Sequence, residues 1–315
     1  MELLLNIFYM FSGVAALYFG ADYLVKGGVD IARRFGVSSL VIGLTLVACG
    51  TSAPELAVSV SAAFDGNPAI ALGNVVGSNI ANIGLILGIC GCILPLGVNK
   101  QLLKVDAPLM IAFSIITALL CIVFNGISRI AGIIFVIAAV VYTVWNVLNS
   151  RKNPVQEEKI ASKYPFLLAI VIVITSLGVL IIGAKVFLLS AIYFARKLNL
   201  SDAVIGLTVV ALGTSLPELA TSIVAVCKGE KDIAIGNVVG SNIFNLIGIT
   251  GITATVKPIP GSALNMIDFG VMIFISLLLI IFMASGKLLN RIEGAILFLS
   301  YVGYTVYLVL CGTAV

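Results

Sequence analysis

One segment of this chain occurs twice, in sequence too apolar to fold in water. Residues 41–61 read VIGLTLVACGTSAPELAVSVS and residues 204–224 read VIGLTVVALGTSLPELATSIV. Residues 70–82, IALGNVVGSNIAN, return as residues 233–245, IAIGNVVGSNIFN. Every equivalence is a shift of 163 residues with no gap. Each copy holds one glutamate, Glu55 or Glu218, among apolar neighbours. An ionisable residue inside a membrane span is costly, so a duplicated pair points to a cation site at the interface of two repeats.

The composition requires a bilayer. The chain is 61% hydrophobic and 10% charged, against ~45–50% apolar and ~25% charged in soluble domains. Apolar runs of about 20 residues, the length of a spanning helix, fill almost the whole sequence. The first run, residues 3–18, has neither a basic leader nor a small-residue cleavage site; it reads as the start of a helix rather than a signal peptide. The net charge of +4 is not gathered into a basic patch with aromatics, which speaks against nucleic acid. Cys49, Cys90, Cys92, Cys121, Cys227 and Cys311 lie in or beside apolar segments and read as small hydrophobes. Cys90 and Cys92 are too closely spaced for a zinc knuckle. The absence of histidine removes imidazole metal ligands, proton switches and His-based triads.

Ten hydrophobic segments are expected: residues 3–32, 37–64, 68–96, 103–124 and 130–148, then 164–195, 203–227, 233–255, 264–284 and 292–312. The only clearly polar linker, residues 149–163, separates them. The predicted fold is all-α and integral to the membrane: ten transmembrane helices as two five-helix repeats, residues 1–148 and 164–315. An odd number of spans turns the second repeat upside down, which makes the duplication an inverted-topology repeat. Orientation follows from Lys and Arg. One set of loops holds thirteen (Lys26, Arg33, Arg34, Lys100, Lys104, Arg151, Lys152, Lys159, Lys163, Lys228, Lys231, Lys287, Arg291), and the other holds four (Arg129, Arg196, Lys197, Lys257). The first set is expected in the cytoplasm, with the linker; both termini then face outward from the cell membrane.

The glutamates sit beside predicted helix breaks. Pro54 has no N–H to give the Gly50 carbonyl, and Gly50 itself weakens the helix; Pro217 and Gly213 repeat the arrangement. Inside a membrane such breaks survive where they line a polar cavity or protein interior. Spacing places Thr51, Ser52 and Glu55 on one helix face, and likewise Thr214, Ser215 and Glu218. Asn74, Ser78 and Asn82 form an i, i+4, i+8 stripe with its twin in Asn237, Ser241 and Asn245. Hydroxyl, amide and carboxylate oxygens suit hard cations such as Ca²⁺ or Na⁺, and no soft ligand set is offered for zinc or copper. Two carboxylates balance one Ca²⁺ or two Na⁺, and an empty pair is disfavoured. That is the logic of an exchanger, in which cations cross by replacing one another or protons.

Blander roles compete. A buried glutamate can hydrogen-bond across helices, and Asn74, Asn79, Asn237 and Asn242 can be interhelical glue or ligands. Gly73-x-x-x-Gly77 and Gly236-x-x-x-Gly240 read as close-packing motifs. Asp22 and Lys185 occupy equivalent repeat positions near span ends and read as interface or gate residues.

At GTSAPE (residues 50–55), GTSLPE (213–218) and the two GNVVGSN stretches (73–79 and 236–242), the sequence resembles the sodium/calcium exchanger family, in its prokaryotic form with a short central linker. The resemblance implies electrogenic exchange of several Na⁺ for one Ca²⁺, with the ions clustered between the repeats near mid-membrane. By matching motif it implies side-chain ligands at Thr51, Ser52, Glu55, Ser78, Asn82, Thr214, Ser215, Glu218, Ser241 and Asn245, joined by the backbone carbonyls of Ala48 and Ala211. It also implies that the first and sixth segments slide as a pair past the rest. Some relatives, including the potassium-dependent exchangers and some prokaryotic members, carry aspartate where this chain has Asn245, which argues against K⁺ co-transport. The calcium/proton branch resembles Gly-Asn-x-x-Glu, whereas this chain has Gly-Thr-Ser-x-Pro-Glu, which favours Na⁺.

The leading expectation is a Na⁺/Ca²⁺ antiporter working by alternating access, with Ca²⁺/H⁺ or other cation exchange as the alternative. A duplicated site on broken helices argues against a passive channel. An intramembrane enzyme lacks support: there is no H-E-x-x-H and no G-x-S-x-G. Residues 149–163 are too few for a folded Ca²⁺-sensing domain. Transported Ca²⁺ and Na⁺ and the lipid bilayer are the expected partners, with no cofactor and no obligate protein partner.

Overall fold

The computed structural model describes residues 2–152, 164–198, 211–261 and 264–312. Most of the linker and the first part of the seventh expected segment, 203–210, lie outside these described residues. The helices in chain order are α1 (Glu2–Phe35), α2 (Ser39–Thr51), α3 (Ala53–Phe64), α4 (Ile70–Ile93), α5 (Leu102–Ile122) and α6 (Arg129–Lys152). They continue with α7 (Phe166–Lys197), α8 (Leu216–Cys227), α9 (Lys231–Val256), α10 (Met266–Gly286) and α11 (Arg291–Gly312).

Among the described residues eight helices are long and apolar enough to cross a membrane, and α2–α3, bent by 45°, supplies a ninth span. α8, with 12 residues, is too short to span alone; the rest of its expected segment is not described. The chain is an all-α membrane protein. Its outer surface carries the large apolar side chains, such as Phe8, Ile134, Ile174 and Leu299, at 45% exposure or more, as lipid contact requires.

The two helices bearing the GNVVGSN stretches form the centre. Buried residues make up 94% of the apolar window of α9 and 72% of that of α4, against 17% in α1 and α11. α1 and α7, the first helix of each half, pack on each other through glycines. A Cβ at Gly13 would lie 2.8 Å from the Phe187 backbone, and one at Gly27 would lie 2.8 Å from Val173. Contact runs down α7 as it runs up α1, so the two helices are antiparallel.

The halves also exchange short strands. β1 (Leu96–Gly97) pairs with β4 (Leu288–Leu289), and β2 (Gly126–Ile127) pairs with β3 (Ile259–Pro260). Each ladder joins one strand from either half. The register reciprocates: Leu96 faces Leu289, and Ile127 faces Ile259.

Candidate cation site

The site is built from the two broken helices and the two central ones. The α2–α3 break falls at Ser52 (φ −80°, ψ 9°), with Pro54 in the first turn of α3. Ser215 (φ −86°, ψ 5°) repeats it ahead of α8, with Pro217 in the first turn. Proline is tolerated there because the first N–H groups of a helix have no intrahelical partner. Glu55 and Glu218 therefore stand in the first turns of their half-helices, where the dipole favours negative charge. Both glutamates are 1% exposed.

The break corrects one sequence expectation. Thr51, Ser52 and Glu55 do not share one continuous helix face. Ser52 Oγ instead donates across the interface to Glu218 Oε1 at 2.8 Å, and Ser215 Oγ donates to Glu55 Oε1 at 3.0 Å. Each half thus supplies the hydroxyl that holds the other half's carboxylate. Ser78 Oγ lies 3.4 Å from Ser215 Oγ, and Ser241 Oγ donates to the Ala48 carbonyl at 3.5 Å. Thr51 Oγ1 reaches the Val47 carbonyl (3.1 Å), the Ala48 carbonyl (3.3 Å) and Asn237 Oδ1 (3.2 Å). Thr214 Oγ1 lies 3.5 Å from Asn74 Oδ1. Ala211 begins the helical turn Ala211–Gly213 at the edge of the described residues.

The Asn–Ser–Asn stripes divide by role. Asn74 turns to the Glu55 carbonyl and Ser59 Oγ, both at 3.0 Å, and Asn237 turns to the Glu218 carbonyl (3.4 Å) and Ser222 Oγ (3.0 Å). These asparagines brace the half-helices that carry the glutamates. Asn79 and Asn242 clasp α4 to α9, each donating to the other's carbonyl at 3.4 and 3.2 Å. Their side-chain oxygens accept from Asn82 Nδ2 (3.0 Å) and Asn245 Nδ2 (3.1 Å). The glue reading is the one the structure gives to all four. The sequence did not reveal the further task of Asn79 and Asn242: with the amide nitrogens of Asn82 and Asn245 held, their oxygens are left to point elsewhere. A π-helical turn begins near each of these residues, at Asn82–Leu87 and Phe244–Ile249, as π turns often do at functional positions.

Four buried oxygens of this cluster have no hydrogen-bond partner: Glu55 Oε2, Glu218 Oε2, Asn82 Oδ1 and Asn245 Oδ1. They are two repeat-related pairs. Buried polar atoms are ordinarily satisfied, so four acceptors left over at one centre call for a group that accepts nothing and attracts oxygen. A hard cation is such a group. Among the described residues no cluster of three or more His, Cys, Asp or Glu side chains occurs, so the acidic part of the set is these two carboxylates.

A cavity of about 490 Å³ reaches Asn74, Ser78 and Thr214 and has Asp268 and Tyr304 in its wall. Tyr304 donates to Asp268 at 2.8 Å. The same pair occurs 162 residues earlier, where Tyr142 donates to Asp106 at 2.9 Å, but there Asp106 is fully buried and also bound by Gln101. The recurring Asp and Tyr, 36 residues apart in each half, were readable in the sequence once a one-residue slip in the repeat was allowed. Gly236 and Gly240 bear out the close-packing expectation: a Cβ there would fall 2.7 Å from Leu40 O and 2.5 Å from Leu44 O. Gly73 and Gly77 line the cavity instead, and the residues equivalent to Leu40 and Leu44, 203 and 207, are not described. Of the expected gate residues, Asp22 is ion-paired with Lys26 and Lys228, and Lys185 is exposed.

Known proteins resemble this chain along most of its length. The family described as sodium/calcium exchanger protein matches residues 5–148 and 168–310. Uncharacterized membrane protein MJ0091 of Methanocaldococcus jannaschii is 37% identical, covering 95% of this chain and 96% of its own. Sodium/calcium exchanger MaX1 of Methanosarcina acetivorans is 34% identical, covering 96% and 98%. Among solved structures, the sodium-calcium exchanger NCX_Mj soaked with 10 mM Na⁺ and zero Ca²⁺ superposes with a TM-score of 0.85 at 34% identity, covering 97% of this chain and 99% of that one.

Proposed function

Since the chain belongs to the sodium/calcium exchanger family and is a cation/Ca²⁺ antiporter of the membrane, we propose that it exchanges Na⁺ for Ca²⁺ electrogenically by alternating access. The observation that carries this reading is the set of four unpartnered buried oxygens on Glu55, Glu218, Asn82 and Asn245. Ca²⁺ takes six to eight oxygens in flexible geometry. Thr51, Ser52, Ser78, Thr214, Ser215, Ser241 and the carbonyls of Ala48 and Ala211 complete the set. Two carboxylates neutralise one Ca²⁺ or two Na⁺, so each ion stabilises what the other vacates. The ions are cargo, and no resident cofactor or enzymatic step is assigned.

The antiparallel packing of α1 on α7 and the reciprocal strand pairs support ten spans in two inverted five-helix repeats, 1–148 and 164–315, joined by 149–163. The thirteen-to-four division of Lys and Arg places the linker in the cytoplasm and both termini outside the cell membrane. On this orientation the cavity beside Asp268 opens outward. α1 and α7, joined to each other more extensively than to the core, are the pair that moves.

The test is Ca²⁺ uptake into proteoliposomes loaded with Na⁺ and diluted into Na⁺-free medium, with K⁺ loading and a bare pH gradient as controls. Uptake that needs internal Na⁺, is accelerated by an inside-negative potential's reversal in the direction expected for excess Na⁺ charge, and vanishes in Glu55→Gln is expected. Uptake driven equally by the pH gradient would refute Na⁺ coupling and move the chain to proton coupling.

A further inference from the structure

The repeat shift of 163 carries Asp22 onto Lys185 and Asp65 onto Lys228. It therefore maps one pair of opposite charges, Asp22 with Lys228, onto another with the charges exchanged, Lys185 with Asp65. The two pairs are in different states. Asp22 is buried on α1, with Oδ1 bound to Lys228 and Oδ2 bound to Lys26 at 2.7 Å. Lys185 and Asp65 are both exposed, and among the described residues no ion pair joins them.

Helix packing differs in the same sense. α1 lies along α8, whereas the equivalent helices α7 and α3 stand apart. The fold is closed where the Asp22–Lys228 pair is made and splayed where the Lys185–Asp65 pair is not. The positions also have leverage. Lys228 and Asp65 cap the C-termini of α8 and α3, the half-helices that carry Glu218 and Glu55. Each is followed by a glycine in the left-handed region, Gly229 (φ 82°) and Gly66 (φ 79°), which turns the chain into the central helix. Lys228 suits the negative end of a helix dipole. Asp65 does not, so a cation brought to it relieves an unfavourable charge.

We infer that Asp22–Lys228 and Lys185–Asp65 are alternating latches. The first holds one face shut while the opposite face is open, and the second forms when α1 and α7 move together to shut that other face. The four side chains are positioning residues: they touch no ion and act by setting which face is open. The Asp22 latch has a second lysine in Lys26, where the equivalent residue is Leu189, so the state described here is the more firmly held. The inference rests on the alternating access proposed above.

The test compares apparent Ca²⁺ affinity from each face, in right-side-out and inside-out vesicles. Lys228→Gln weakens the state open to the outer face. It should raise half-saturating Ca²⁺ outside and lower it inside, the two factors multiplying to about twofold to fivefold. Lys185→Gln should do the reverse, and the double reversal Lys185→Asp with Asp65→Lys should restore the parent values. A structural role would move both faces in the same direction. Same-direction shifts, or no shift on Lys185→Gln, would overturn the latches. A parent chain without Na⁺-driven Ca²⁺ flux would instead remove the exchanger reading. The latch is then read by cross-linking: with the six native cysteines replaced by serine, a short bis-thiol reagent should bridge Asp65→Cys and Lys185→Cys. No bridge under any ion condition would overturn it.

Discussion

Replacing Glu218 by glutamine keeps the side chain's shape and removes one charge and one acceptor from the centre of the protein. In the parent chain Oε1 accepts from Ser52 at 2.8 Å, Oε2 has no partner, and the residue is 1% exposed. Glutamine retains the Oε1 acceptor, so the cross-half hydrogen bond survives. Without ions the substitution relieves a buried charge, and the variant should melt no lower than the parent. With Ca²⁺ the sign reverses. One remaining carboxylate leaves a net positive charge in a water-poor site, and stripping one partner from a buried charge pair costs about 3–5 kcal/mol. That is a loss of about 150-fold to 5000-fold in affinity. Ligand at 100 times its dissociation constant stabilises the parent by about 2.7 kcal/mol. At the same Ca²⁺ concentration the variant should gain less than about 0.4 kcal/mol by that relation. The assay is thermal unfolding of detergent-solubilised protein with and without Ca²⁺, beside uptake in proteoliposomes. A variant that melts well below the parent in the absence of Ca²⁺, yet keeps the full Ca²⁺ shift, would refute the ligand role and make Glu218 interhelical glue.

Four further outcomes are expected. Ser52→Ala and Ser215→Ala each remove a hydroxyl that orients a carboxylate of the other half; each should weaken Ca²⁺ binding by about 10-fold to 150-fold, in line with ~1.5–3 kcal/mol for hydrogen bonds to charged groups, and a binding isotherm with unchanged affinity would count against the cross-half arrangement. Gly240→Ala places a Cβ 2.5 Å from the Leu44 carbonyl and should destabilise by about 1–3 kcal/mol, seen as a fall in melting temperature. Gly303→Ala meets nothing within 4 Å and should leave melting unchanged. Exchanging K⁺ for choline on both sides should leave uptake unaltered, because Asn245 supplies no third carboxylate; a K⁺ requirement would refute that inference.

Much of this protein was legible in its sequence because its message is chemical and local. A duplicated glutamate beside a proline needs no coordinates to be recognised as a buried acid at a helix break, and the break does fall at Ser52, two residues before Pro54. Apolar length located nine of the ten expected segments as spans within a few residues, since the hydrocarbon thickness imposes that length on every helix. Hydrogen-bond partners were another matter. Spacing put Ser52 with Glu55, but the backbone turn at Ser52 sends its hydroxyl to Glu218, and no rule of helix periodicity anticipates a partner 166 residues away.

The sequence by itself determined the membrane class, the repeat, the two acids and the oxygen chemistry of the site, because each is a property of residue type, spacing or apolar length. Tertiary structure alone decided which asparagines brace helices and which offer oxygens, since Asn74, Asn79 and Asn82 have identical chemistry and differ only in neighbours. It also decided the conformational state. Matching motifs leave either packing open to both halves, and only the close contact of α1 with α8, against the looser one of α7 with α3, breaks the tie.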